Sequence, residues 1–348
     1  YGFDKLPLKL PRRSIEPAGK NALLECKQQI RENLVKSGAN EVLTYSFVHG
    51  KLLERAGQDA SRAFKLANAL SPELQYYRLS LLPSLLEKVH PNAKAGYDEF
   101  ALFEIGKGHV LDEPDPAEPG VPKEVNTLGF VYAAKKPGQG AAYYVACRYL
   151  MNLLAGFQAT GKVRLEPLAS ADLYNNPWLI QMTAPFEPGR SAVLRDVTKG
   201  SDTNGLVWGV AGEFKSSVRK ALKLSENCAG FEIDPLLLQN GSEAGNYIEL
   251  PKYPKVEQDI SLRVPADVRY RDLYDCVWDG LGKAQPEHTL PSLGPLDIYQ
   301  SKDDQAHKNI TLRFTIASYE RTLTDAEVHA MLDAAAAAAR EKFGAEVL

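Results

Sequence analysis

A chain of 348 residues, 44% hydrophobic and 24% charged, has the make-up of soluble globular protein and the length of two to three domains. Its formal net charge of −3 excludes a global basic field that would gather nucleic acid. The four cysteines, Cys26, Cys147, Cys228 and Cys276, form no C-x-x-C pair and the six histidines show no H-E-x-x-H spacing, so zinc and redox motifs are absent and a reduced, cytoplasmic setting fits.

The first 17 residues are Pro-rich and extended, which reads as a linker from a missing upstream domain. They have no initiator Met and no apolar h-region of a signal peptide. No apolar run in the chain nears the roughly 20 residues that cross a bilayer. A helix follows, with Leu23, Cys26, Ile30 and Leu34 at three- and four-residue steps and Gly38 as its stop. Alternation from Glu41 to Val48 predicts a strand, Leu43, Tyr45 and Phe47 opposing Val42, Thr44 and Ser46. Arg78 and Ser80 precede an apolar Leu81-Leu82-Pro83 turn and a short helical run, Ser84–Val89. The chain then passes through Pro91 and Asn92 into a strand at Phe100–Ile105.

The acidic, proline-dense stretch 112–123 reads as a surface loop, and Thr127–Ala133 as a buried strand. Tyr143–Phe157 is a predicted helix with Val145, Tyr149 or Leu150, Leu153 and Leu154 on one side. Short strands are expected at Val163–Leu165, Leu179–Met182, Ala192–Arg195 and Leu206–Ala211. Helices and strands mix without βαβ regularity, which favours an α+β class. The periodic pattern breaks near Asn240–Pro254, placing one domain over residues 18–245 and another over 252–348.

In the second domain the order is strand Val256–Val264, helix Val268–Leu281, strands Leu296–Gln300 and Asn309–Ala317, helix Asp325–Phe343 and a short strand near Ala345–Leu348. This β-α-β-β-α-β order is the ferredoxin-like split βαβ arrangement. The first helix gathers Tyr270, Leu273, Tyr274, Val277, Trp278 and Leu281 on one face. The second opens on the capping-box pattern Thr324-Asp-Ala-Glu327 and turns Val328, Met331, Leu332 and Ala335 to the sheet.

Two stretches carry a family resemblance. The run Leu70–Gly106, with Arg78, Ser80-Leu-Leu-Pro83 and Leu102-Phe-Glu-Ile-Gly106, resembles the catalytic-like module of the bacterial phenylalanine–tRNA ligase β subunit. Phe186-Glu-Pro-Gly-Arg-Ser-Ala192, Gly209-Val-Ala-Gly-Glu213 and Phe231-Glu232 extend the match, as does Tyr1-Gly-Phe-Asp-Lys-Leu-Pro7. Tyr253-Pro-Lys-Val-Glu-Gln-Asp259, Leu296-Asp-Ile-Tyr299 and Arg321-Thr-Leu-Thr-Asp325 resemble the ferredoxin-fold anticodon-binding domain that closes that subunit. Two departures stand out: Gln258 replaces the family's Arg before Asp259, and the usual terminal Arg is missing from Glu346-Val-Leu348.

The resemblance implies a class II synthetase-like antiparallel sheet with flanking helices, followed by the ferredoxin-like domain. It implies a subunit of an α₂β₂ ATP-dependent ligase whose α subunit binds ATP and phenylalanine and charges tRNA. This chain would support the α subunit, with Ala22–Val35 and the strand after it near that interface, and would reach the tRNA anticodon region. The family's proofreading site and an acidic Mg²⁺ cluster would lie upstream of Tyr1. ATP and Mg²⁺ would serve the full enzyme, and this chain would bind no cofactor and no metal.

The residues agree that catalysis is missing. A class II site needs an Arg fork on the ATP α-phosphate, because that fork gives bidentate, charge-assisted bonds. The strand expected to present it reads Phe103-Glu-Ile-Gly106, and Phe231-Glu-Ile-Asp234 carries no Gly-x-Gly-x-x-Arg run. No residue is therefore assigned a catalytic role. A lone Arg78 carries little functional information, and in the family its position supports folding and packing. Pro188-Gly189 reads as a structural turn, with Arg190 a partner for a carboxylate.

For RNA, strand parity in the last domain points Ile260, Leu262 and Val264 inward, with Ile310, Leu312, Phe314 and Ile316. That leaves Asp259, Ser261 and Arg263, and Thr311, Arg313 and Thr315, on the open face, where Tyr299 is also expected. Arg263, Tyr299, Thr311 and Arg313 are the candidate RNA contacts, since arginine and tyrosine stack on unpaired bases and pair with phosphate. Residues 251–348 hold 12 Lys and Arg against 16 Asp and Glu, a net of −4, so any basic patch must be local. Two rivals remain at this stage: a single-chain organellar synthetase, disfavoured by the missing arginines, and a stand-alone RNA-binding or assembly module without synthetase activity.

Overall fold

The computed structural model describes all residues except 1, 11, 13, 15, 18, 117, 119, 121, 137–140, 175, 199–204, 240–248 and 302. Much of the sequence break at Asn240–Pro254 therefore lies outside the described residues. The chain forms two compact units, residues 1–245 and 246–348.

The first unit is built on a seven-stranded sheet. Its elements run α1 (Ala22–Lys36), β1 (Asn40–Glu41), β2 (Phe47–Val48), α2 (Gly50–Arg55), β3 (Tyr76–Tyr77), α3 (Leu82–Lys94), β4 (Glu99–Pro114) and β5 (Pro122–Ala134). They continue with α4 (Ala142–Gly156), β6 (Val163–Pro167), α5 (Ser170–Leu173), α6 (Pro177–Thr183), β7 (Phe186–Asp196), β8 (Val207–Phe214), α7 (Ser216–Leu222), β9 (Asn227–Ile233) and α8 (Leu236–Gln239). The sheet order is β1-β4-β5-β9-β8-β7-β6, antiparallel throughout except for the parallel pair β1–β4. Alternate residues of the central strands feed two cores. On one face Phe103, Phe130 and Phe231 pack under α1, α4 and α8, with Phe130 and Phe231 stacked at 4.6 Å. On the other, Leu102, Val131 and Val210 pack under α2, α3, α6 and α7.

Several elements depart from the sequence expectation. The strand predicted over Glu41–Val48 is two short ladders, Asn40–Glu41 on β4 and Phe47–Val48 on β3, joined by a stretch outside either ladder. The alternation survives: Thr44 turns in towards the sheet, while Leu43 and Tyr45 are 92% and 75% exposed. Beyond Glu41 the contact with β4 continues only as the Val42 N–H bond to Phe103 O (2.8 Å) and the Thr44 side chain. The helix expected to end at Val89 continues through Pro91 to Lys94. Pro91 removes one rung, the Asn92 side chain donates to the Lys88 carbonyl (2.8 Å), and Ala95 N–H reaches Pro91 O (2.9 Å) at the helix end. Leu179–Met182, predicted as a strand, is helical. Asn176 caps it by accepting from Leu179 N–H at 3.0 Å and Pro177 sits in its first turn, signals that outrank a four-residue apolar run. Pro188-Gly189 is an irregular stretch inside β7, not a turn between strands, with the register shifting between Phe186 and Ser191.

The second unit holds β10 (Val256–Pro265), α9 (Tyr270–Lys283), β11 (Thr289–Tyr299), β12 (His307–Ser318), α10 (Asp325–Phe343) and β13 (Glu346–Val347). Its antiparallel sheet has the order β11-β12-β10-β13, as a ferredoxin-like split βαβ fold requires. Ile260, Leu262, Val264, Ile310, Leu312, Phe314 and Ile316 are buried under the two helices together with Leu273, Val277, Val328 and Met331. The capping box at Thr324 and Glu327 is formed, and Gly344 closes α10 with φ +64°.

The filled sheet face and the candidate nucleic-acid interface

The strand β4, whose Phe103-Glu-Ile-Gly106 stretch carries no arginine, buries Glu104. Its side chain is 1% exposed and forms a salt bridge to Arg78 at 2.8 Å. Thr44 donates to the other carboxylate oxygen at 2.6 Å and accepts from the guanidinium at 2.8 Å. Arg78 also donates to the Lys107 carbonyl at 2.9 Å. Two strands away stands a second buried carboxylate, Glu232, and the register runs Glu104–Gly129–Glu232 straight across the sheet. Glu232 accepts from the backbone N–H groups of Leu81 (2.8 Å) and Leu82 (3.2 Å) and from the Thr127 hydroxyl (3.0 Å). Burial pushes its carboxyl above the usual range, against those hydrogen bonds, which pull it down.

These contacts hold residues 78–82 flat on the sheet. Glycine makes that approach possible. A Cβ at Gly108 would stand 2.6 Å from the Leu79 carbonyl oxygen, and one at Gly129 would stand 2.8 Å from the Leu81 Cβ. Leu79, Leu81, Leu82, Leu85 and Leu86 then bury themselves completely on this face. This face of the sheet is thus covered by the chain's own leucines. Sequence reading gave Arg78 a packing role, and its burial and partners are of that kind. It did not foresee Glu232 as the anchor of α3; a Glu at a buried position of a strand was the available signal.

The open face of the second sheet places the four candidate RNA residues. Arg263, Thr311 and Arg313 share that face on the adjacent strands β10 and β12, the register pairing Asp259 with Arg313, Ser261 with Thr311 and Arg263 with Asn309. Tyr299, 57% exposed, lies on β11 opposite Asn309 and lines a cavity of about 200 Å³ with Arg263, Asp304, His307 and Lys308. Thr311 and Arg313 lie outside that cavity. The arginines have partners. Arg313 makes a bidentate contact with Asp259 at 2.8 and 2.9 Å, and Arg263 reaches Asp304 at 2.6 Å and Glu346 at 3.7 Å. Ser261 and Thr311 hydrogen bond to each other at 2.8 Å. Their guanidinium partners hold Asp259 and Asp304 below the ordinary aspartate range. Gln258 lies opposite Phe314, on the helix side of the sheet, so this departure from the family sits at the packing face.

Residues 6–235 match the family described as the phenylalanyl tRNA synthetase beta chain CLM domain, and residues 251–348 match the ferredoxin-fold anticodon binding domain. The chain belongs to the phenylalanyl-tRNA synthetase β chain family. The phenylalanine–tRNA ligase β subunit of Clostridium acetobutylicum is 27% identical over 355 residues, covering 100% of this chain and 40% of that protein. That of Geobacillus kaustophilus is 30% identical over 351 residues, covering 99% and 40%. The chain therefore spans about 40% of the length of these β subunits. A solved structure, a pyrrolysyl tRNA synthetase of Desulfitobacterium hafniense, overlaps 62% of this chain and 65% of that one at 16% identity and a TM-score of 0.43, a remote likeness.

In the first unit several large apolar side chains remain in water: Leu24 and Val35 on α1, and Leu43 and Tyr45 after it. Leu43 and Tyr45 line a cavity of about 610 Å³ together with Phe47, Leu52, Lys51 and Arg55. Exposed apolar side chains grouped around such a cavity mark an interaction surface.

Proposed function

We propose that this chain is the non-catalytic part of a phenylalanine–tRNA ligase β subunit, which supports the α subunit in an α₂β₂ assembly and contacts the anticodon region of tRNA. The observation that carries this reading is the filled sheet face: Arg78 there is buried and neutralised by Glu104, and leucines cover the rest, so neither Arg78 nor that face is free to hold a triphosphate. On this reading ATP and Mg²⁺ act at the α subunit, and this chain alone catalyses nothing. The exposed Leu24, Val35, Leu43 and Tyr45 are the surface offered to the α subunit, which covers them in the assembly. The second unit meets tRNA through the face that carries Arg263, Tyr299, Thr311 and Arg313. A cytoplasmic site of action accords with a role in protein synthesis; no helix among the described residues is long and apolar enough to cross a membrane.

The test is co-purification of this chain with the matching α subunit, followed by ATP–pyrophosphate exchange and aminoacylation with full-length and truncated β. The expected result is a stable complex, no exchange by this chain alone, and a loss of aminoacylation when residues 251–348 are removed. Exchange by the isolated chain would overturn the reading, as would failure to bind the α subunit.

A further inference from the structure

We propose that Asp259 and Asp304 stand in for RNA phosphates, holding Arg313 and Arg263 back from indiscriminate RNA and so setting the specificity of the second unit. The inference rests on the reading that this unit contacts tRNA, and it adds the device that makes such contact selective.

Three observations lead to it. The first is geometry. Asp259 takes both arms of the Arg313 fork at 2.8 and 2.9 Å, the same bidentate pattern that the fork offers to a phosphate. The second is pairing. Lys255, Arg263 and Arg313 each meet a carboxylate, Lys255 through Glu257 at 2.7 Å, while Lys308 donates to the Ala266 carbonyl. The hydroxyls between the arginines, Ser261 and Thr311, are joined to each other. The third is the charge balance. With 12 basic against 16 acidic residues over 251–348, a loose RNA strand meets repulsion before it meets a donor.

RNA enters such a face by exchange. A phosphate placed at Arg313 displaces the Asp259 carboxylate, which returns to water. A ligand pre-shaped to place phosphates and bases together supplies the compensating contacts, including stacking on Tyr299. A flexible strand does not. The two gates differ in stiffness. Asp304 also accepts from Ala306 N–H (3.1 Å) and His307 N–H (3.2 Å), so its loop holds it in place, and Glu346 backs it up at Arg263. Asp259 has only Arg313 among the hydrogen bonds described. Opening the Arg313 gate therefore has the larger effect.

The experiment titrates this chain against a uridylate oligomer and a phenylalanine tRNA transcript by fluorescence anisotropy over a range of salt. Asp259→Asn is expected to tighten oligomer binding by roughly 3- to 10-fold at low salt. It should steepen the slope of log K against log salt by about 0.7, the value of one added single-strand phosphate contact. Binding of the tRNA should tighten less, so the ratio between the two falls. Asp304→Asn should act in the same direction and more weakly. Asp333→Asn, which removes the same charge from an exposed position of α10, is the control and should change neither affinity nor slope beyond about twofold. Adding Arg313→Ala to Asp259→Asn should abolish the gain. If Asp259→Asn behaves like Asp333→Asn while Arg263→Ala and Arg313→Ala weaken tRNA binding, the masking proposal is overturned and the RNA reading of the face stands. If neither arginine truncation affects tRNA and Asp259→Asn gives no gain, both fall. Circular dichroism melts confirm that each variant is folded.

Discussion

Arg78 and Arg313 each meet a carboxylate at 2.8 Å, and there the likeness ends. The side chains of Arg78 and Glu104 are 3% and 1% exposed, those of Arg313 and Asp259 45% and 38%. Burial changes what the contact means. In the first unit neither partner has water to fall back on, so the pair is locked, and Thr44 and the Lys107 carbonyl add further hydrogen bonds to it. In the second, water and salt compete with each partner, so the contact is easily exchanged. One arginine holds a scaffold shut. The other is held in reserve.

The largest effect should come from breaking the buried pair. Arg78→Met leaves Glu104 charged inside the first unit with only Thr44 beside it, and should cost about 3–5 kcal/mol of that unit's stability in urea unfolding. Replacing both partners, Arg78→Met with Glu104→Met, should recover most of the loss, because apolar side chains of similar size can fill the space that a lone charge cannot occupy. If the single and double variants are equally destabilised, the pair's value lies in shape, not charge. Thr44→Val comes next. It removes one hydrogen bond to the carboxylate and one acceptor from the guanidinium, worth about 1.5–3 kcal/mol where a charged group is involved.

Strand parity and helix period made much of this architecture readable before the structure. The inward set on β10 and β12 and the span of α10 follow directly from alternation and from a capping box. The elements that misled are those whose fate is settled by contacts across the chain. The run 41–48 alternates like a strand, yet finds a partner strand only at its two ends. Pro91 looks like a stop, yet α3 continues past it to Lys94. Leu179–Met182 is apolar over too short a distance for its period to show, and only Asn176 and Pro177 mark it as a helix. Among site residues, the open-face positions of Arg263, Thr311 and Arg313 were legible from parity. Their carboxylate partners were not. Asp259 sits directly opposite Arg313, but Asp304 approaches Arg263 from a loop, which no strand pattern encodes. Glu232 was equally opaque, because its donors come from a segment about 150 residues earlier in the chain.

Asp234 offers an intermediate case between the two arginine pairs. Burial raises its carboxyl from 3.8 to about 6, opposed by a hydrogen bond from Leu236 N–H and by the charge of Lys123. The folded chain thus holds this proton more tightly than the unfolded chain. Between about pH 4 and pH 6 it binds more protons folded than unfolded, and stability falls as pH rises through that window. Asp234→Asn should flatten this dependence. The variant and the parent should melt closest together near pH 4 and diverge towards pH 7, with the variant higher by an amount on the order of 1–2 kcal/mol. A difference between variant and parent that stays constant across the window would show that water reaches this carboxylate.

The smallest expected effect completes the contrast. Asp259→Asn should leave the stability of the second unit nearly unchanged in urea unfolding, and any difference should shrink further as salt is raised. Near-zero cost is what a contact must have if phosphate is to displace it. Were Asp259→Asn to cost as much as Arg78→Met, the exposed pair would be part of the scaffold, and RNA would have to dismantle structure in order to reach Arg313. The same substitution therefore separates two uses of one contact. A large loss of stability assigns Asp259 to folding, whereas a small loss with a steeper salt dependence of RNA binding assigns it to selection among ligands.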